Sequence, residues 1–537
     1  MEMKKQKKII GGMILVLAVT ACASFFKSAA EEIAQEETSE IYQNEIKTIY
    51  TEAYQDEVET QIEEEKSSGA YTEDNMLIKE NPYGTNTLSL YVYFTTQEPV
   101  SVSYNVSVPD LSIGDFSQTP EGEGRFDTEH EFQVMGLIPE ECNTITFTLT
   151  KEDGSVEIYS YVHEMGELSG KEEIQLKQTE AAEGSETVSD GLYVVLGNDS
   201  DEEDFMYYYD NSGVLRGEIP LIGYRSHRLL FRDDCMYYSI SESKIAAVNH
   251  LGKAEKIYDT GTYSLHHDYV FDDDGNLLVL ATDTESDSVE DQIIQINTQT
   301  GEVSCVLDLG ELFSDYKEEC TENEDGELDW IHINTIQWIG DDAVLLSSRE
   351  TSTILMIEDI YDTPQITYMI GEESFWEGTG YEELLLEKDE SAGTFSNTGG
   401  QHSVTYVQDD SLNAGEYYLY LFNNNFGVSK SKPAYDWEQI EGIETSMKEG
   451  EESYYYKYKV NNGTYSLIQS FKVPYSAYVS SAQEYKGNII IDSGMQGIFG
   501  EYDASGNIIQ EFEMELADEY IYRVYKYDFA DFYFEKQ

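Results

Sequence analysis

Only eight histidines and seven arginines occur in the 537 residues, so the positions they hold are informative. His266 and His267 precede Asp268-Tyr269-Val270, ten or eleven residues before the strand-like run that begins at Leu277. His332 lies eleven residues before Ala343, at the head of a matching run, and Asp268 and Asn334 each follow two residues after His266 and His332. By spacing, His266 and His332 therefore hold the same place in two repeats. His402 opens a third such strand, and Arg349 follows Leu345-Leu346-Ser347-Ser348. An imidazole can attack when neutral and donate or stabilise negative charge when protonated. A guanidinium offers a permanent charge in a planar fork suited to tetrahedral oxyanions. Such a set fits transfer of an anionic group. Three imidazoles alone would also fit zinc, although Arg349 is an odd neighbour for a cation. His130, His163, His227 and His250 read as ordinary satisfied polar residues. Taken alone, Arg349 beside Glu350 would be a surface pair worth little.

The elements that would position these residues are strands. From residue 190 to 537 the chain is strand-turn-strand throughout, and a polar turn closed by glycine recurs at Asp210–Gly213, Asn249–Gly252, Asn297–Gly301 and Asp503–Gly506. A second unit interleaves with it, at Asp274-Gly275-Asn276, Gly340-Asp341-Asp342 and Lys486-Gly487-Asn488. Gly213, Gly252 and Gly301 are 39 and 49 residues apart. A period of several strands in 40–50 residues predicts a β-propeller of roughly six to eight blades, whose equivalent strand starts surround a central channel. An irregular array of β-sandwiches would explain the strands but not the recurring turn.

Upstream, alternating runs such as Leu88–Phe94, Val100–Val106, Thr144–Leu149 and Val156–Tyr161 predict a small β-sandwich over residues 71–180. A polar linker is expected over 177–189. Residues 22–70 are acidic, with helically spaced apolar residues from Ile33 to Ile62, and read as a helical spacer or a dimerisation helix. Residues 1–21 combine Lys4, Lys5, Lys7 and Lys8, an apolar run and Val19-Thr20-Ala21 before Cys22. That pattern predicts a lipoprotein signal peptide with Cys22 as the lipidated residue, and an extracytoplasmic body anchored to the membrane. An uncleaved anchor is the alternative, though the apolar run is short for a span. Cys305 and Cys320 could pair or stay free, and no disulfide framework or zinc spacing is present. The formal net charge of −74 argues against nucleic acid as a partner. Phosphate-binding, HExxH and GxSxG motifs are absent from the sequence.

Several segments, in order, resemble the bacterial aryl-sulfate sulfotransferases that work without a phosphoadenosine cofactor. They are Asn81–Leu88, His266-His267-Asp268 with Asp274-Gly275-Asn276, Asp329–Asn334 followed by Ser347-Ser348-Arg349, Gly400-Gln401-His402-Ser403, Val479–Gln483 and Gly500–Asp503. The resemblance implies an all-β fold with a six-bladed propeller. It implies His402 as nucleophile, with His266 or His267, His332 and Arg349 binding the sulfate. The donor would be a phenolic sulfate ester and the acceptor a phenol, with neither cofactor nor metal. Some members of the family have a disulfide-closed loop just after the nucleophile; this chain has no cysteine beyond Cys320. Trp330 and Trp338 are candidates to hold aryl rings or simply to pack strands. A propeller also suits a non-catalytic surface protein that binds a partner or glycan. A hydrolase would differ only in using water as acceptor. Homodimerisation is left open.

Overall fold

The computed structural model describes residues 42–536, apart from 111, 121–124, 182–186, 201–203, 324–325 and 449. The expected signal peptide and Cys22 lie outside the described residues. Six four- or five-stranded sheets, antiparallel but for the short Glu387–Lys388 edge strand, follow an N-terminal six-stranded one, as the all-β reading required.

In blades two, three and four the chain runs from an inner to an outer strand through successive hairpins. The recurring glycines supply turns of this kind. Gly213, Gly252, Gly301 and Gly506 all have positive φ (71°, 91°, 76° and 83°), a conformation glycine adopts without a Cβ penalty. The Asp or Asn that opens each turn accepts backbone N–H bonds through its side chain. Asp210 takes Ser212 and Val214, Asn249 takes Leu251 and Lys253, and Asp503 takes Ser505 and Asn507. The second recurring unit turns the inner hairpins. Blade three is Tyr263–Phe271, Leu277–Asp283, Gln292–Ile296 and Val303–Asp308, and blade four is Ile333–Gly340, Ala343–Ser348, Thr353–Glu358 and Gln365–Ile370. Blade five begins at His402–Val407, blade six at Ser481–Tyr485.

The ring closes twice, using strands distant in sequence. Val524–Tyr527, near the C-terminus, pairs with Leu192–Val195 and becomes the inner strand of blade one. Lys177–Ala181 pairs with Ile508–Glu513 and becomes the outermost strand of blade six. The expected linker is therefore in part a blade strand, and the propeller begins at 177 rather than 190. Polarity hid it: all five residues are exposed at an edge, so no apolar alternation marks them.

The N-terminal sandwich is built on one long strand, Ser89–Ser107. Its first half pairs with Leu77–Glu80 and Asp127–Met135, its second half with Phe116–Gln118 and Cys142–Lys151. The two halves pack against each other, Phe132 facing Phe147 with ring centroids 6.3 Å apart.

The acidic segment is no free spacer where it is described. Glu52–Ser68 is a helix capped by Thr51. Its Gln55 is fully buried, giving Nε2 to the carbonyls of Ile49 and Tyr83 and taking the Ala254 N–H. Tyr50 just before it hydrogen-bonds Pro220 O and Tyr238 Oη, both at 2.9 Å. The segment thus ties the sandwich to blades one and two. Cys142, Cys235, Cys305 and Cys320 are all free.

Candidate active site

Neighbouring inner strands are stitched together by side chains, which fixes the channel wall. Ile336 N–H donates to Asp268, Asn334 Nδ2 to Gln401 O (2.8 Å), Ser403 N–H to Thr335 Oγ1 (3.1 Å), Ser403 Oγ to Ala482 O (3.0 Å) and Ser481 Oγ to Val524 O (2.9 Å). The axis below is filled by charge. Asp268, wholly buried, meets Arg228 at 3.0 Å and Arg523 at 3.5 Å, and Arg523 also donates to Asn334 O.

Within the blade-three inner strand and at or just before the start of the next three, the backbone leaves the β region. His267, His332, Ser403 and Ser480 all have positive φ, at 53°, 48°, 59° and 84°. Such conformations are uncommon for residues with a Cβ and cluster where side chains must be aimed. In blade three the irregularity lies between Leu265 and Tyr269, and in blade four between Ile333 and Thr335. Spacing alone matches His266 with His332. The irregularity shifts the match, because His267 shares both the left-handed backbone of His332 and its contacts.

The rings of His267 and His332 lie 4.8 Å apart. Between them sits Glu290, whose Oε2 is 3.1 Å from His267 Nε2 and 2.7 Å from His332 Nδ1. Asp329 lies 2.9 Å from His332 Nδ1 and 3.2 Å from Arg349 Nη2, and Glu350 is 3.5 Å from the same guanidinium nitrogen. Arg349 N–H donates to His332 O at 3.0 Å, so the two residues are joined through backbone as well. His267 Nδ1 is 3.0 Å from Tyr522 Oη. His266 packs on His267 at 5.1 Å with both ring nitrogens buried and unpartnered among the described residues. His402, 2% exposed, places Nδ1 against Gly400 O (3.0 Å) and Asn424 Oδ1 (2.8 Å). His267 and His332 are close enough to His402 to bias its protonation.

The imidazoles are driven apart in charge. Burial and the Arg349 charge push His332 down, but Asp329 and Glu290 outweigh them and hold it at about 9, protonated at neutral pH. Burial takes His267 down to about 3 against the pull of Glu290. Burial likewise holds His402 well below its usual range, with the Asn424 hydrogen bond opposing and His267 and Arg523 reinforcing. His267 and His402 are thus neutral bases beside an imidazolium and a guanidinium. Burial raises Glu290, but the His332 charge, with the His267 hydrogen bond, outweighs it and keeps it ionised.

Two sets, His266-His267-Glu290 and Glu290-Asp329-His332, have ligand atoms within 4.8 Å of one another, as a metal ion would require. Arg349 lies against Asp329 in the second set and competes for that carboxylate. Trp330 is fully buried, its Nε1 donating to Asp291 at 2.9 Å, so it packs blade four and lines no aryl site. Trp338 packs on Tyr361. His227 is buried against Tyr522 and Ser239 Oγ. Sequence reasoning did not assign Glu290, Asp329, Asn424, Tyr522 or Arg523. Only Asp329 carried a readable signal, its three-residue spacing from His332.

The family model described as arylsulfotransferase (ASST) matches residues 177–528, and the arylsulfotransferase Ig-like domain matches 77–166. No curated protein matches. Among solved structures, a protein of unknown function from Bacteroides caccae is 11% identical with a TM-score of 0.35, covering 63% of this chain and 98% of that one. BamB from Moraxella catarrhalis is 10% identical with a TM-score of 0.29, covering 65% and 90%. The WD40 domain of Toxoplasma gondii coronin is 8% identical with a TM-score of 0.30, covering 64% and 75%. The two family matches fall on the propeller and on the sandwich before it, and the first spans the strands that carry all five candidate site residues: the chain belongs to the arylsulfotransferase family.

Proposed function

We propose that the chain moves a sulfuryl group from a phenolic sulfate ester to a phenol by a ping-pong cycle through an N-sulfohistidine at His402. The observation that carries this reading is the grouping itself: a buried His402, kept neutral by its burial, within electrostatic reach of His332, which shares the Asp329 carboxylate with Arg349. In the first half-reaction the His402 Nε2 lone pair attacks sulfur, an N–S bond forms and the S–O(aryl) bond breaks. The leaving phenolate takes the proton of His332, which suits that role as an acid with a raised pKa. Arg349 and His332 face the sulfuryl oxygens, where fixed donors and positive charge stabilise the transition state. In the second half-reaction His332, now neutral, takes the proton of an acceptor phenol. The phenol oxygen attacks sulfur and the N–S bond breaks. Because the donor carries the energy, the step consumes no nucleotide.

The aryl ring meets a channel mouth in a strongly acidic protein, so the local cations must overcome a repulsive global field. The basic residues, apolar run and Val19-Thr20-Ala21 before Cys22 support a protein outside the cytoplasmic membrane, tethered by lipid on Cys22. Among the described residues no helix is long and apolar enough to cross a membrane. Incorporation of a palmitate analogue, lost in Cys22→Ala, tests the tether.

Initial rates with 4-nitrophenyl sulfate as donor and phenol as acceptor test the reaction. Parallel double-reciprocal lines without nucleotide, and loss of transfer in His402→Ala, are expected. Intersecting lines, or transfer that survives His402→Ala, would overturn the reading. Release of sulfate at the same rate with and without phenol would identify a hydrolase instead.

A further inference from the structure

A histidine nucleophile needs more than neutrality, because its lone pair must lie on the nitrogen that faces the substrate. The surroundings of His402 settle which one. Asn424, fully buried, gives its Nδ2 to two backbone carbonyls, Ser476 O at 2.9 Å and Val479 O at 3.0 Å. Both partners only accept, so the amide nitrogen must face them and Oδ1 must face His402. His402 Nδ1 then lies between two acceptors, Asn424 Oδ1 at 2.8 Å and Gly400 O at 3.0 Å. A lone pair there would face two others, so Nδ1 carries the proton. Nε2 keeps the lone pair, and it makes no hydrogen bond to any described residue.

The supports of both acceptors are themselves built. Gly400 has φ 62° and donates its N–H to Ser352 Oγ at 2.9 Å, which turns its carbonyl back towards the ring. Asn423, next to Asn424, accepts the Gly399 and Asn425 N–H groups, both at 3.0 Å. Ser453 Oγ donates to Asn424 O at 3.0 Å. The end of the Glu416–Asn423 strand and the loop before His402 are thus locked to one another.

We propose that Asn424 is a positioning residue: it commits His402 to the Nδ1–H tautomer and so directs the sulfuryl group to Nε2. As a neutral acceptor it does this without raising His402 into the protonated range, which a carboxylate in its place would do. The consequence for catalysis rests on the reading of His402 as nucleophile, whereas the tautomer itself does not.

Nitrogen NMR of the full chain carrying ¹⁵N-histidine, without substrate, reads the tautomer in the wild type and needs no variant. Protonated Nδ1 and bare Nε2 on His402 are expected, and the reverse would overturn the proposal. In Asn424→Ala, Gly400 O remains as the single acceptor. A second tautomer should appear, the single-turnover burst of nitrophenolate should slow about tenfold, the worth of one hydrogen bond, and the donor dissociation constant read from the concentration dependence of the burst should hold. An unchanged tautomer and burst in a folded Asn424→Ala protein would refute the assignment. If His402 shows the expected tautomer and its loss in Asn424→Ala, yet never carries a sulfuryl group, the nucleophile reading fails while the positioning role survives.

Discussion

Replacing Glu290 by Gln should pull down the alkaline limit of the first half-reaction. Glu290 Oε2 lies 2.7 Å from His332 Nδ1, and with Asp329 at 2.9 Å it holds that imidazole at about 9. Glutamine keeps the shape and an acceptor oxygen but removes one of the two charges. A hydrogen bond to a charged partner contributes about 1.5–3 kcal/mol, and about 1.4 kcal/mol corresponds to one pH unit. His332 should therefore fall by about one to two units, from about 9 to about 7–8. The assay is kcat/KM for the donor against pH. In a ping-pong cycle this ratio reports the first half-reaction alone, so titration of the acceptor phenol does not intrude. A donor with a poor leaving group, such as phenyl sulfate, makes proton transfer matter; 4-nitrophenyl sulfate should show a smaller effect. The wild type should lose activity as pH passes about 9 and the variant correspondingly earlier. A limb that stays at the same pH in Glu290→Gln would refute the assignment of His332 as the acid.

Arg349→Met should lower donor kcat/KM by about 10²–10³-fold, as loss of one transition-state donor does. His332 binds a proton more tightly in the folded than in the unfolded chain. Its contribution to stability is therefore full below about 6.5 and lost as pH rises through about 9; urea midpoints should fall across that window, and less so in His332→Gln. Gly494→Ala should destabilise the closure, because the added Cβ would lie 2.0 Å from the backbone oxygen of Ile521, which no side-chain rotation can relieve. A loss of about 1–3 kcal/mol is expected from equilibrium unfolding, and an unchanged midpoint would mean that this junction yields freely.

The six blades and the candidate site were legible to different depths, for physical reasons. The Asp/Asn-to-Gly turns announce themselves because positive φ and side-chain caps demand those residue types. The histidines and Arg349 stand out because the chain has so few. Glu290 and Asn424 do not: one acid among 106 Asp and Glu residues carries no signal, and the Asn424 contact spans 22 residues. The confusion of His266 with His267 came from a backbone irregularity that spacing cannot register. The closing strands Lys177–Ala181 and Val524–Tyr527 are short, and their partners lie hundreds of residues away. The helix was read as a spacer because its apolar stripe, Val58 and Ile62, is short, and the buried Gln55 that ties it to blade two looks polar in sequence.

Between donor and acceptor the sulfuryl group must rest on one residue. Mixing the protein with donor alone, quenching in alkali to preserve an N–S bond, and mapping the added SO₃ by peptide mass spectrometry would show it. One sulfuryl group per chain on His402, absent in His402→Ala and discharged by added phenol, is the expected result. A stable label on another residue, or transfer at full rate with none on His402, would contradict it.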